Sequence, residues 1–371
     1  MPATQAALPD VPHGGYPAQS ISKLTIRNFR NIVSLDIEIP PIGVVVIGQN
    51  GQGKTNLLEA IYYLVLFRSF RGVADRELVR FDEQGFFVAG TADGKRVTAG
   101  YEPAGGRKKV TVDGQVVHRL TEAVGHLAAV PFSPEDRQMV AGGPSGRRRY
   151  MDVVLALSDP EYLTALSNLR AARRQRNAAL RMGNRKAAQA FDGPFARAAA
   201  VVVKHRRDWV AERTDRFSAL CAQLGETAPC VMRYHGSPED EGQLREALDL
   251  SIERDLRHGT TTVGPHRDDL RLLLKDRSVR RYGSAGQQRT AAISLRLLEA
   301  ETLAERTGST PLALYDDVFA ELDERRQENM LRLIGETLPG QAIITAPRDS
   351  EVPPALLDRA RWTMTGGRLE E

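Results

Sequence analysis

The sequence predicts an α/β protein in which a mainly helical segment is inserted between the two halves of a phosphate-binding core. Three observations indicate this class. A glycine-rich loop lies near the start of the chain, an apolar strand ending in two aspartates lies near its end, and the residues between are rich in Ala, Leu and Arg. Because a glycine loop of this kind works together with an acidic strand, the two ends of the chain are expected to meet at one site.

The beginning of the chain predicts three strands after a leader. Residues 1–20 are rich in Pro, Gly and Ala without an apolar core, which predicts a disordered leader and not a signal peptide. Residues 21–29 and 33–39 alternate between apolar and polar side chains, and residues 44–47 form a short apolar run. The two alternating stretches predict half-buried strands, and the apolar run predicts a buried one.

The glycine-rich loop has the composition of a phosphate-binding loop. It is formed by Gly48, Gln49, Asn50, Gly51, Gln52, Gly53, Lys54 and Thr55, and apolar residues at helical spacing follow it. Strand, loop and helix form the context in which backbone N–H groups surround a phosphate. Lys54 is expected to reach the β- and γ-phosphates of ATP, and the Thr55 hydroxyl is expected to bind Mg²⁺. The alternative is a glycine-rich turn that only happens to end in Lys-Thr.

The middle of the chain predicts hairpins and then helices. Glycine turns separate strand-like pieces between residues 86 and 117. Asp159 and Pro160 have the residue types of an N-cap and a first helical position, so a helix is expected there. The helices are expected to continue to about residue 224, with breaks near 183–184 and 193–194. We therefore assign residues 21–150 and 256–371 to the core, and residues 151–255 to a mainly helical basic insert.

Positive charge is concentrated in this central segment. Residues 146–216 contain 16 Lys and Arg against 7 Asp and Glu, whereas the whole chain has a net charge of only +4. Arginine clusters without matching acids are typical of surfaces that bind nucleic-acid phosphates, although a solvated charged face is the alternative. No aromatic stripe accompanies the arginines, so contact with the backbone of duplex DNA is favoured over base stacking on single strands.

The last third of the chain returns to strands and helices. Strands are expected at 230–234, 270–274, 312–315 and 342–345, and helices at 287–302 and 324–337. The strand at 312–315 leads into Asp316 and Asp317. Asp316 is expected to hold Mg²⁺, and Asp317 is expected to orient or deprotonate the attacking water. A buried strand that runs into a polar turn is the alternative, since aspartate favours turns.

A second short motif precedes the helix at 287–302. Ser284, Gly286 and Gln287 resemble the signature loop of ABC-type ATPases, and Asp323 has the position of the D-loop aspartate in that superfamily. Ser284 and Gln287 also have the spacing of a helix capping box, which is the alternative explanation. The acidic strand and the two motifs occur in the order and spacing of that superfamily.

Several longer stretches resemble the RecF family of bacterial recombination-mediator ATPases, which are relatives of SMC-type heads. These stretches include residues 28–31, 56–61, 133–136, 147–152, 264–269 and 284–289. The resemblance implies an ABC/SMC-type P-loop ATPase head that dimerises on ATP, with Ser284 of one copy touching the γ-phosphate held by the other. It also implies binding to duplex or gapped DNA, and cooperation with RecR, RecO and RecA in recombinational repair.

Departures from the wider ABC pattern modify this expectation. Asp317 stands where glutamate is usual and is one methylene shorter, so we expect slow hydrolysis that acts as a switch. Thr345 stands where transporters place a histidine, and no glutamine could be assigned to the Q-loop; Gln138 is a poor candidate. His266, Asp268 and Asp269 suggest a polar turn more than a metal site, because their spacing has no ligand geometry of its own.

Three other functions remain open at this stage. A transporter subunit would need a membrane partner, a P-loop kinase would not need the signature motif, and a DNA-binding scaffold would carry only a vestigial nucleotide site. The longest apolar runs are too short to span a membrane. The chain has only two cysteines, Cys221 and Cys230, which suits a reducing cytoplasm.

Overall fold

The computed structural model describes residues 16–319, 324–356 and 358–371. Its strands are β1 Ile21–Phe29, β2 Ile32–Glu38, β3 Gly43–Ile47, β4 Phe86–Ala92, β5 Lys95–Glu102, β6 Arg107–Val112, β7 Gln115–Val116, β8 Ala129–Phe132, β9 Cys230–His235, β10 Asp269–Leu274, β11 Arg277–Ser278, β12 Leu312–Asp316, β13 Ala342–Ala346, β14 Ala360–Thr365 and β15 Arg368–Glu370.

The helices alternate with these strands and dominate the middle of the chain. They are α1 Lys54–Leu66, α2 Leu120–Ala123, α3 Arg137–Ala141, α4 Pro144–Ser158, α5 Pro160–Arg181, α6 Arg185–Gln189, α7 Asp192–Gln223, α8 Glu241–His258, α9 Val279–Tyr282, α10 Ala285–Thr307 and α11 Glu324–Thr337. The predicted strands and helices of the sequence all occur, within a few residues at their ends.

The core sheet joins the two ends of the chain. Its strand order is β15-β14-β3-β13-β12-β8, and every neighbouring pair is parallel except β14 with β15. The strands β3, β12 and β13 are almost free of polar side chains, because both faces of this sheet are covered. The carboxyl ends of these strands meet at one edge, where ligands of α/β proteins bind.

A second sheet covers the other side of α1. It is antiparallel, with the order β2-β1-β4-β5-β6-β7. Eleven of the thirteen residues of α1 are buried, because the helix lies between the two sheets. Phe29 of β1, Tyr63 of α1 and Phe86 of β4 pack edge to face, which fixes the helix against this second sheet.

The helical segment packs directly on the core. Helices α5 and α7 form a long hairpin, α8 packs beside it, and α7 also contacts α10 and β9. The buried apolar residues of α4, α5 and α7 belong to the same continuous cluster as those of the core sheet. The predicted boundary at residue 150 falls inside α4, and β9 of the insert pairs with β10 beyond the predicted boundary at 256.

Of two further expectations about the chain path, one was confirmed and one was wrong. The helix break expected near 193–194 occurs at 190–191, between α6 and α7. Gly193 and Pro194 lie in the first turn of α7, where a missing N–H costs no intrahelical hydrogen bond. The leader was expected to extend to residue 20, yet Ala18 bridges Thr310 and the buried Gln19 accepts a hydrogen bond from the Ala128 N–H. Residues 1–15 lie outside the described part of the chain.

Candidate nucleotide-binding site

The loop after β3 has the backbone geometry of a phosphate cradle. Gly51 and Gly53 have φ angles of +82° and +114°, a region that favours glycine. A side chain at Gly53 would also collide with Asn31, and one at Gly48 would approach the Met364 carbonyl oxygen to 2.5 Å. Within the described residues, the N–H groups of Asn50, Gly51 and Gly53 donate no hydrogen bond to another protein atom. They are therefore available to an anion at the start of α1.

Lys54 extends back over this loop. Its ammonium group is almost fully buried, donates to the Gly48 carbonyl at 2.7 Å, and lies 3.4 Å from a carboxylate oxygen of Asp317. The positive charge is therefore held between the loop and the end of β12. A phosphate chain lying on the loop amides would meet this ammonium, as the sequence predicts.

Two segments that sequence reasoning did not assign to the site hold the loop from outside. The Asn31 side chain, in the turn between β1 and β2, donates to the Gln52 carbonyl at 3.0 Å and accepts from Asn56 at 2.8 Å. On the other side, the Gly366 and Gly367 N–H groups donate to Gln52. The only earlier signal was the resemblance of residues 28–31 to a known family, which gave Asn31 no role.

The Thr55 hydroxyl and the Asp316 carboxylate come together although they are 261 residues apart in sequence. The hydroxyl donates to Asp316 at 2.8 Å. Burial raises the pKa of Asp316 to about 6, and the charges of Asp317 and Glu135 add to this effect. The Thr55 hydrogen bond acts in the opposite direction. A hydroxyl and a carboxylate suit Mg²⁺, which usually takes its remaining ligands from phosphate and water. In the described residues no group of three or more His, Cys, Asp or Glu could hold a metal by itself.

Asp317 and Thr345 stand next to this pair. The Thr345 hydroxyl lies 3.0 Å from a carboxylate oxygen of Asp316 and 3.0 Å from one of Asp317, and it accepts from the Asp317 N–H. Asp317 has a φ of +49°, which turns the chain as it leaves β12. Thr345 therefore positions the two aspartates. This role differs from that of the histidine that transporters place at this position.

The signature motif lies at a different place. Ser284 is the exposed N-cap of α10, where its hydroxyl accepts from the Gln287 N–H and its own N–H donates to the Gln287 side chain. The alternative of a capping box is thus confirmed as a local structure. A side chain at Gly286 would approach the Arg326 guanidinium to 2.9 Å. Asp323 of the predicted D-loop lies outside the described residues.

The structure corrects the view that the central arginines lack matching acids. Arg147 forms a bidentate pair with Asp269, Arg206 pairs with Asp152, and the fully buried Arg176 pairs with Asp192 and Asp255. Arg213 and Arg216 pair with Glu305 and Glu301 of α10. The sequence could not show this, because most of these acids come from distant segments. These five arginines hold helices together and are not available to DNA.

The polar turn at 266–269 is structural, as expected. Asp268 accepts from the Ser237 N–H and hydroxyl and from Tyr234, and Asp269 pairs with Arg147. Among the helices that the structure describes, none is long and apolar enough to cross a membrane.

Comparison with known proteins places the chain in a family. Residues 20–359 match the RecF/RecN/SMC N terminal domain. The DNA replication and repair protein RecF of Anaeromyxobacter sp. (strain Fw109-5) is 38% identical over 362 residues, which cover 93% of this chain and 97% of that protein. The protein of the same name from Ligilactobacillus salivarius (strain UCC118) is 33% identical over 370 residues, covering 95% and 97%.

Solved structures agree with this relationship. A structure of the recombination mediator protein RecF with ATP is 31% identical and has a TM-score of 0.87, covering 96% of this chain and 99% of that one. The Smc head domain of Pyrococcus furiosus is 15% identical with a TM-score of 0.52 over 95% of both chains, which shows a shared fold alone. The chain therefore belongs to the RecF family, and its fold is that of an ABC/SMC-type P-loop ATPase head with an inserted helical arm.

Proposed function

We propose that this protein is an ATP-dependent DNA-binding protein of recombinational repair. In this proposal ATP and Mg²⁺ bind at the loop of residues 48–55, two copies associate on the bound nucleotide, and the dimer is retained on duplex or gapped DNA. Slow hydrolysis resets it. The single observation that carries the proposal is the hydrogen bond from Thr55 to Asp316, since it brings the phosphate loop and the acidic strand into one site.

The geometry supports a defined role for each group. The loop amides and Lys54 would bind the phosphates, Thr55 and Asp316 would hold Mg²⁺, and Asp317 would orient the attacking water. The magnesium ion would offset the negative charge on the transferred phosphoryl group. Ser284, Gly286 and Gln287 are placed on an exposed helix end, where a second copy could bring them to the γ-phosphate.

Relatives indicate the biological setting. Two relatives that are 38% and 33% identical are named as DNA replication and repair proteins, and the ATP-bound structure is described as part of the RecFOR pathway. We infer that this chain promotes recombinase loading and fork maintenance together with RecR, RecO and RecA. A general SMC-like DNA-binding ATPase is the second candidate, and a DNA-binding scaffold with a vestigial nucleotide site is the third.

The decisive experiment measures molecular mass in solution with ATP, with ADP and without nucleotide, each with and without duplex DNA. We expect a dimer only with ATP, and DNA retention that depends on it. Lys54→Met is the control variant: it removes the cation that meets the β- and γ-phosphates and should abolish ATP binding while the fold persists. Equal DNA binding with and without ATP would favour the scaffold. Normal ATP affinity in folded Lys54→Met would disprove the loop assignment.

A further inference from the structure

A cleft of about 410 Å³ lies beyond the C-terminal end of α1, bounded by the loop after α1 and by helices α4 and α5. It is separate from the nucleotide site, since α1 has 13 residues and spans about 20 Å. Six guanidinium groups line it, and among the lining residues Asp152 is the one carboxylate. The arginines of this cleft, which we call the arginine cleft, are Arg68, Arg148, Arg149, Arg170, Arg173 and Arg206.

Among the residues that the structure describes, few acids pair directly with these arginines. Asp152 pairs with Arg170 and Arg206, whereas Arg148 and Arg149 donate only to the neutral carbonyl oxygens of Asp268 and Ser69. Arg68 and Arg173 make no hydrogen bond and no ion pair with any residue that the structure describes. Both are half-buried, so they lose hydration without forming a direct ion pair, although the charge of Asp152 acts on both.

The electrostatics of the cleft would favour binding of an anion. Burial lowers the pKa of four of its arginines, and in each case a neighbouring guanidinium adds to the shift: these are Arg68, Arg148, Arg149 and Arg173. A negative group bound among them would remove this mutual repulsion. Guanidinium groups favour phosphate, because their planar donors match two of its oxygens.

A further polar atom of the cleft has no partner. His266 contacts the Thr261 carbonyl through Nε2 at 2.9 Å, but its buried Nδ1 has no hydrogen-bond partner in the structure. Unpaired arginines from the loop after α1 and from α5 thus line the same space, together with the His266 side chain.

The surroundings of the cleft favour a long polyanion over a small one. Arg170, Arg174 and Arg181 of α5 are exposed, and their spacing of four and seven residues places them on one face of the helix that leads away from the cleft. Inside the cleft, Val73, Leu166 and Leu169 offer an apolar wall beside the charges. Such a combination suits a sugar attached to a phosphate, with further phosphates along α5.

We propose that the arginine cleft binds a backbone phosphate of DNA and that the exposed arginines of α5 contact the phosphates that follow. This inference rests on the proposed DNA-binding function. Arg147 and Arg176 are not DNA ligands in this proposal, because they pair with Asp269 and with Asp192 and Asp255. Arg206 lines the cleft but is already paired with Asp152. Arg68 and Arg173 become the main candidates, although Arg68 lies far outside the basic segment of the sequence.

The test compares Arg68→Gln, Arg173→Gln and the double variant with Arg245→Gln. Arg245 is exposed on α8 and makes no hydrogen bond or ion pair with the described residues, so it controls for the loss of one positive charge. The affinity for a short duplex is measured with ATP over a range of salt concentrations. The double variant should bind about tenfold or more weakly at low salt, and its log K against log salt slope should fall by about one unit.

Controls separate charge from folding. Arg68→Lys and Arg173→Lys keep the cation and should retain most of the salt slope, while ATP binding and the melting temperature stay near wild type in all variants. Unchanged DNA affinity and slope in the double glutamine variant, with wild type still binding DNA, would overturn the cleft assignment alone. A wild-type protein that does not bind DNA would overturn both the cleft and the proposed function.

Calorimetry with inorganic pyrophosphate tests whether the arginine cleft binds a small phosphate compound instead of the DNA backbone. The double Lys54→Met, Arg173→Gln variant and Lys54→Met alone are compared, so that binding at the nucleotide loop does not contribute. We expect weak binding of pyrophosphate at most. Tight binding that requires Arg173, combined with DNA affinity that does not, would assign the cleft to a small phosphate ligand and reject DNA.

Discussion

At the scale of single residues, Asp317 connects the groups that would surround a γ-phosphate. It lies between the Lys54 ammonium and the Thr345 hydroxyl, and its φ of +49° is one that aspartate and asparagine tolerate better than most residues. We predict that Asp317→Asn keeps ATP affinity and the fold but loses hydrolysis, because the amide cannot accept a proton from water. Single-turnover hydrolysis and equilibrium ATP binding measure the two effects.

A matched control exists for this variant. Asp276 is an exposed aspartate with a φ of +59°, so Asp276→Asn makes the same chemical change in a similar backbone conformation. It should hydrolyse ATP at the wild-type rate. Wild-type hydrolysis by Asp317→Asn would transfer the role to another residue.

His266 makes the stability of the protein depend on pH. Burial lowers its pKa to about 4, and the charges of Arg173, Arg267 and Arg148 add to the shift, while Thr261 opposes it. The edge of Phe195 from α7 covers another side. Since the folded pKa lies below the unfolded value of about 6.5, the unfolded chain binds more protons between these values.

We therefore predict that the His266 contribution to the free energy of unfolding falls as the pH is lowered from about 6.5 to about 4, by up to about 3 kcal/mol. Urea unfolding at several pH values measures this change, and the stability of His266→Gln should depend less on pH.

Duplex DNA bound in the arginine cleft should raise the pKa of His266, which the histidine ring signals in NMR would report. A histidine that titrates near 6.5 in the free protein would contradict the prediction.

At the scale of secondary-structure elements, α1 connects two groups of positively charged or N–H donor residues. Its N-terminus follows the phosphate loop, and its C-terminus leads to Arg68 and Ser69 of the arginine cleft. Glu59 in the middle of the helix is fully buried, accepts from Arg30 at 3.0 Å and also accepts from Ser69. The turn next to Asn31 and the loop at the cleft are therefore held by the same carboxylate.

Two variants at the N-terminus of α10 distinguish a capping role of Ser284 from a role in dimerisation. Ser284→Arg and Ser284→Ala both remove the cap, which costs about 0.5–2 kcal/mol, but only arginine adds bulk and charge. We predict that ATP-dependent dimerisation is lost in Ser284→Arg and kept in Ser284→Ala, while ATP binding by the monomer is normal in both. Mass measurement with ATP and a thermal melt test this. Dimerisation of Ser284→Arg would leave Ser284 as a capping residue only.

Elements that are stabilised by contacts between residues close in sequence could be predicted, whereas elements that depend on distant residues could not. The helix start at Asp159 was confirmed because its N-cap hydrogen bonds to Glu161 and Tyr162 are local. The strands β8 and β14 were not predicted, since they are short and only their place in the core sheet stabilises them. Asn31 and Gly366 were missed as supports of the phosphate loop for the same reason: their contacts span many residues and leave no local pattern.

At the scale of the whole molecule, buried ion pairs hold the helical segment together. Arg176 of α5 is fully buried and binds Asp192 of α7, Asp255 of α8 and the Thr261 hydroxyl. We predict that Arg176→Met lowers the free energy of unfolding by about 3–5 kcal/mol, because it leaves buried carboxylates without a counter-charge. Denaturant unfolding measures the loss. Arg174→Met, at an exposed position two residues earlier in α5, should change stability by less than about 0.5 kcal/mol.

The same pairs explain why a count of charges in the sequence was misleading. The excess of arginine between residues 146 and 216 is real, but acids such as Asp255, Asp269, Glu301 and Glu305 neutralise part of it from outside that window. Replacing Arg147, Arg148 and Arg149 together would therefore destabilise the fold, so a loss of DNA binding by that variant would not identify DNA contacts. Only the three-dimensional pairing distinguishes a structural arginine from one that is free for phosphate.

The nucleotide site is closed by residues from both ends of the chain, and this has a consequence for protein synthesis. Gln52 is held by Gly366, 314 residues later, and Thr55 by Asp316. While the ribosome is still translating, the glycine loop has neither partner, so a nascent or prematurely terminated chain cannot assemble the site. We therefore expect a chain that ends before Asp316 to lack the acidic half of the candidate site and to bind ATP weakly.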